Sequence, residues 1–204
     1  MRALAQDILA RAAGRRRYVF AIAGAPGAGK STLAEALLAA IEAEAPGAAA
    51  LIPMDGFHLD NAVLDARGLR ARKGSPETFD VDGLAAMLAR VRAADRPVAA
   101  PVFDRDLDLA RAGARIIAPE APVILLEGNY LLLRDPPWDG IAAQFERTLY
   151  LDVAEAELER RLVARWLRYG LDAQSARARA EGNDLPNARL VAARSKRADI
   201  RWTG

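Results

Sequence analysis

Tyr18-Val19-Phe20-Ala21-Ile22-Ala23-Gly24-Ala25-Pro26-Gly27-Ala28-Gly29-Lys30-Ser31-Thr32 decides the fold. An apolar run leads straight into Gly-x-x-x-x-Gly-Lys-Ser, and Leu33, Leu37, Leu38 and Ile41 follow at helical spacing. That order predicts a buried strand, a phosphate loop and a helix. A polyphosphate needs several backbone N–H groups converging on it, and a loop without Cβ obstruction provides them, hence Gly24, Gly27 and Gly29. The helix opening near Lys30 adds its positive dipole end and free N–H groups. In such a loop Lys30 neutralises the β- and γ-phosphate oxygens and the Ser31 hydroxyl ligates Mg²⁺, while Gly24, Ala25, Pro26, Gly27, Ala28, Gly29 and Thr32 complete the nucleotide cradle.

The chain has 204 residues, enough for one domain with a full core. Its 29 basic and 27 acidic residues leave a net charge of +2, which argues against general nucleic-acid affinity. All but three of the basic residues are arginine, so the lysines Lys30, Lys73 and Lys196 carry more information than any one arginine. Without cysteine there is no disulfide or thiol chemistry, and the lone His58 rules out a multi-histidine metal site. No apolar run approaches the roughly 20 residues that span a bilayer. The expectation is a soluble cytoplasmic protein without membrane or nucleic-acid partners; self-association as a homodimer stays open.

Outward from the loop, residues 2–13 carry Leu4, Ile8 and Leu9 at helical spacing, and Arg15, Arg16 and Arg17 then read as a solvated turn. Ala48 to Pro53 is a short apolar run ending in Met54-Asp55-Gly56-Phe57-His58, which puts Asp55 and His58 at the ligand-binding edge of a parallel sheet. Residues 60–79 read as a mobile or ligand-contacting excursion, and Val81 to Val91 as a helix. Pro97 to Arg105 is too interrupted by proline for a central strand and suits an edge strand or loop. Pro122 to Gly128 and Arg147 to Val153 read as further central strands, Glu155 to about Arg168 as a charged helix, and Ala198 to Trp202 as a last strand. Strands alternating with helices predict a parallel sheet covered on both faces.

A phosphate loop leaves kinase, GTPase and transporter ATPase open. No Asn-Lys-x-Asp guanine motif and no Leu-Ser-Gly-Gly signature is present. Phosphoryl transfer instead needs an aligned acceptor, a metal and cations over the migrating charge. Asp55 stands where a base for an acceptor hydroxyl is wanted, and Glu127 where a carboxylate for Mg²⁺ is wanted, with Asp152 as the competing candidate. Arg161, Arg165 and Arg168 fall on one helix face, suited to a lid over ATP.

With these residues assembled, the chain resembles the P-loop kinases grouped as uridine kinase, phosphoribulokinase and type I pantothenate kinase. It is most like their bacterial relatives described as nucleoside/nucleotide kinase-like or fructose transport system kinases. The likeness rests on Gly24 to Ser31, Pro53 to His58, Arg72 to Asp80, Pro101 to Arg105, Leu126 to Tyr130 and Gly182-Asn-Asp-Leu-Pro-Asn187. It implies a three-layer α/β fold of the P-loop NTPase, NMP-kinase-like type: a five-stranded parallel sheet in the order 2-3-1-4-5 with a small helical lid. It further implies one domain over residues 1–204, with an acceptor-side excursion over about 55–118 and a lid over about 160–182. By the same resemblance Asp55 is the catalytic base, His58, Arg72, Lys73, Phe103, Asp104 and Arg105 line the acceptor site, and Glu127 is the acid of the second nucleotide motif. Lys30, Arg165 and Arg168 act on the transferring phosphate. Phe103 replaces the family's usual tyrosine and Arg105 replaces another polar residue, in the segment that sorts acceptors. The implied activity is ATP- and Mg²⁺-dependent phosphorylation of a small-molecule acceptor, a sugar such as fructose or a nucleoside leading. An ATP-binding regulator and an NTP hydrolase are the alternatives.

Overall fold

A computed structural model describes residues 1–203. Along the chain run α1 (Arg2–Ala12), β1 (Tyr18–Gly24), α2 (Lys30–Glu44), β2 (Ala49–Pro53), α3 (Asn61–Ala66) and α4 (Val81–Ala93). A hairpin, β3 (Val98–Asp104) and β4 (Leu109–Ile117), precedes β5 (Val123–Gly128) and β6 (Arg147–Asp152). Three helices, α5 (Glu155–Arg168), α6 (Ala173–Arg179) and α7 (Leu185–Arg194), lead to β7 (Ile200–Thr203).

Five parallel strands form the central sheet in the order β2-β5-β1-β6-β7. This differs from the expected 2-3-1-4-5 through the chain count: residues 98–117 add two strands of a separate antiparallel sheet ahead of β5. Strand β1 is buried along its whole length because both faces are covered. Val19, Ala21 and Ala23 face a core built with α4, Tyr130 and Trp138, and Tyr18, Phe20 and Ile22 face one built with α1, α2 and α5. This alternation follows from the two-residue period of a strand.

The proline-rich stretch forms β3, with a register shift between Ala100 and Val102 where Pro101 lacks an N–H to donate. Its partner β4 was not expected, since Leu109-Ala-Arg-Ala-Gly-Ala-Arg-Ile-Ile117 lacks alternation and is mostly exposed. Arg115 ties it down through a 2.6 Å bond to the Leu51 carbonyl. Residues 60–79 are carried by α3 and short 3-10 turns, with Ser75, Thr78 and Phe79 buried. Arg17 is also not solvated. It is buried and donates to the carbonyls of Val91, Ala118 and Ala121, cross-bracing three segments.

Gly56 seats the hairpin against the end of β2. A Cβ there would stand 2.4 Å from the Pro101 carbonyl oxygen, so only glycine allows the approach. Gly56→Ala is expected to destabilise the chain by about 1–3 kcal/mol through overpacking, a loss of several degrees in melting temperature for a chain of this size. An unchanged melting curve would show that the hairpin yields without cost.

Candidate active site

The strand ends β1, β2 and β5 open on one cleft of about 510 Å³. Pro26, Gly27, Gly29, Lys30, Ser31 and Thr32 form its floor, with Gly29 at φ 98°, a left-handed conformation open to glycine. Asp55, His58, Lys73, Phe103 and Arg105 form one wall, and Glu127 and Asn129 lie between wall and floor. Arg161, Arg165, Arg168 and Tyr169 close the far side.

The Lys30 ammonium is buried and donates to the Ala25 carbonyl at 2.9 Å and to Asn129 Oδ1 at 2.6 Å. Burial lowers its pKa, against the pull of Glu127 and Asp55. A desolvated cation with two neutral acceptors is a ready seat for an anion. The Ser31 hydroxyl donates to Glu127 Oε1 at 3.2 Å. Burial, and then the charge on Asp55, push the Glu127 carboxyl up to about 7. A divalent cation beside Ser31 would reverse that trend, so this pair fits Mg²⁺. Among the described residues no cluster of three or more His, Cys, Asp or Glu could form a dedicated metal cage. The competing Asp152 is paired with Arg201 at 2.7 Å and is not on the cleft.

On the wall, Arg105 donates to Asp55 Oδ2 at 2.7 Å. Burial raises the Asp55 pKa, but His58, Arg105 and Lys30 outweigh it and hold the carboxyl below its usual range. His58 Nδ1 lies 2.7 Å from the Asp55 carbonyl, which sets the proton on Nδ1 and leaves Nε2 as an acceptor. Burial lowers its pKa against the opposing pull of Asp55. Its ring packs at a tilt against Phe79 and Phe103, with ring centroids 4.1 and 4.6 Å away. Lys73 sits 5.0 Å over Phe103, bonded to Asn61 and paired with Asp108 at 2.9 Å.

Two expected wall residues are elsewhere. Arg72 is half-exposed and pairs with Glu77 at 3.4 Å. Asp104 shapes the hairpin turn, accepting from the N–H groups of Asp106 and Leu107 and pairing with Arg111 at 3.2 Å. Of the helix-face arginines, Arg161 reaches the phosphate loop, with a 3.0 Å bond to the Ala28 carbonyl, while Arg165 pairs with Asp184 at 3.2 Å and Arg168 is exposed on the rim. Asn129, the partner of Lys30, lies in Leu126-Glu-Gly-Asn-Tyr130 beside Glu127, and its neutral side chain gives the sequence no sign of that role.

No protein-family model matches the chain. A solved structure from Silicibacter sp. TM1040, described as a candidate fructose transport system kinase, is 46% identical, with a TM-score of 0.92 over 98% of both chains. A candidate uridine kinase of Schizosaccharomyces pombe is 34% identical over 188 residues, 87% of this chain and 79% of its own. The pantothenate kinase of Parvibaculum lavamentivorans is 35% identical over 169 residues, 79% of this chain, and the chain spans about half of its length, 52%. Similarity of this extent, on a cleft that joins a phosphate loop to a wall carrying Asp55, leads to one conclusion: the chain belongs to the P-loop kinase group that includes uridine kinase-like proteins and pantothenate kinases, and is a small-molecule phosphotransferase.

Proposed function

We propose that this chain transfers the γ-phosphoryl group of ATP to a hydroxyl of a small polar metabolite, a sugar of the fructose kind or a nucleoside. The observation that carries the reading is that Asp55 and Lys30 line the same cleft, with Glu127 near enough to feel the charge of both. A hydrolase would have no use for an aromatic and cationic wall facing the phosphate loop, and a binding-only regulator no use for a base there.

In the reaction the bond between the γ-phosphorus and the β,γ-bridging oxygen breaks, a bond to the acceptor oxygen forms, and the acceptor proton passes to Asp55. Asp55 has Oδ2 engaged by Arg105, which leaves Oδ1 for the acceptor hydroxyl. The neutral His58 offers Nε2 to a second hydroxyl, and Phe103 lines the cleft beside it as an apolar surface for the acceptor. Lys30 holds the β- and γ-phosphate oxygens, and Arg161, Arg165 and Arg168 lie on the side from which charge on the transferring group is countered. Mg²⁺, held by Ser31 and Glu127, would supply further charge neutralisation at the phosphates.

The test is ADP release from Mg·ATP across a panel of sugars, nucleosides and pantothenate. Stimulation by one hydroxyl compound, at least about tenfold over basal hydrolysis, is the expected result, since acceptor alignment alone is worth more than that. A rate indifferent to every acceptor would return the chain to the hydrolase or regulator readings.

A further inference from the structure

The run Gly182-Asn-Asp-Leu-Pro-Asn187 takes no part in the chemistry above, yet it holds Asn183, Asp184 and Asn187, all three buried. Its backbone is unusual. Residues Ala180–Asp184 form a π-helical turn between α6 and α7, with the Leu185 N–H bonded to the Ala180 carbonyl five residues back. Pro186 has no N–H and its ring crowds the carbonyl four residues earlier, so an α-helix cannot run through this point unaltered. Single π turns inside helices concentrate at functional sites.

Adjacent helical side chains diverge by about 100°, and here the two directions have different partners. Asp184 turns to the lid helix α5: Oδ1 pairs with Arg165 at 3.2 Å and Oδ2 accepts from Trp166 Nε1 at 2.6 Å. Asn183 turns to the acceptor wall, donating to the Lys73 carbonyl at 3.0 Å, with its amide oriented by Asn187. The segment Lys73–Gly74 is gripped again by Tyr130, which donates to the Gly74 carbonyl at 2.6 Å, and Arg179 of α6 donates to the Ala71 carbonyl at 2.9 Å. One turn of chain thus has one side chain on the arginine of the phosphate side and the next on the residue whose side chain lies over Phe103.

We propose that Asn183 and Asp184 are positioning residues that set Arg165 and the acceptor wall at Lys73 in register, so that nucleotide engagement by the lid orders the acceptor site. This rests on the kinase reading of the cleft. In kinetics, Asp184→Asn keeps the size and the acceptor for Trp166 but removes the charge facing Arg165, and is expected to lower kcat about 10- to 100-fold, the scale of a small misplacement, with acceptor KM little changed. Asn183→Ala is expected to raise acceptor KM with the smaller effect on kcat.

A readout apart from turnover is amide hydrogen exchange with and without a non-hydrolysable Mg·ATP analogue. In the unaltered chain the analogue is expected to slow exchange in residues 70–79 as well as in α5, by about fivefold or more, the lower end of ordinary site-to-site coupling. In Asn183→Ala the slowing persists in α5 and is lost in residues 70–79. The proposal is overturned if the analogue protects α5 but leaves residues 70–79 unaffected in the unaltered chain, or if Asn183→Ala responds like it. An analogue that protects nothing, the phosphate loop included, would sink the kinase reading itself and the proposal with it.

Discussion

Lys30→Met is expected to abolish measurable turnover, a loss of about 10³-fold or more, at the upper end of what one electrostatic donor in an enclosed site contributes. The ammonium is buried at the floor of the cleft, where burial already disfavours its charged form, and its bonding partners, Ala25 and Asn129, are neutral. A cation held at that disadvantage gains most from an incoming phosphate, and little solvent stands in for it once removed. Methionine fills most of the same volume without charge, so the melting temperature should hold within a few degrees while activity vanishes. Steady-state ADP release and a thermal melt together decide the matter. Wild-type rates in a folded variant would remove the nucleotide assignment of the whole loop.

Asp55→Asn should lower the rate by about 10² to 10⁴, the range for loss of a positioned general base, with nucleotide affinity nearly intact. Asparagine keeps an oxygen for the bond from Arg105, so the wall should hold its shape. What goes is the proton acceptor. The depressed pKa keeps Asp55 ionised at neutral pH, and it also makes the carboxylate a weaker base while Arg105 stays in place. Arg105 is half-exposed, so an acceptor that draws the guanidinium aside would strengthen the base at the moment it is needed. Single-turnover rates with saturating ATP, beside a direct binding measurement of the ATP analogue, separate the two roles. If nucleotide affinity collapsed while the bound complex still turned over, Asp55 would belong with Ser31 and Glu127 at the metal.

The stretches that bring Lys30 and Asp55 to the cleft were readable from residue order, and the reason is locality. The phosphate loop is contiguous: its glycines, Lys30 and Ser31 act through backbone conformation and a helix start that neighbours in the chain specify. Strands β1 and β5 declared themselves as unbroken apolar runs because both sheet faces are covered, and Asp55, in the turn two residues past β2, and Glu127, the penultimate residue of β5, followed from them. No helix among the described residues is long and apolar enough to cross a membrane.

The parts that were misread depend on partners far along the chain. Arg17 looks like one of three solvated arginines until carbonyls 74, 101 and 104 residues away surround it. Strand β4 has no strand pattern because pairing with β3, rather than a buried face, holds it. Arg72 and Asp104 sit beside Lys73 and Arg105 in sequence, yet the 3-10 turn and the hairpin turn direct them to Glu77 and Arg111 instead of the cleft. Residue order by itself thus determined that a strand, a phosphate loop and two strand-end carboxylates exist, since each is written in a few adjacent residues. Which arginine touches the loop, which one meets Asp184, and that Arg105 lies across Asp55 were decided only by the tertiary structure. Those contacts join groups separated by 19 to 133 positions for Arg165 and Arg161 and by 50 for Arg105, and no local pattern records a meeting that only the folded chain brings about.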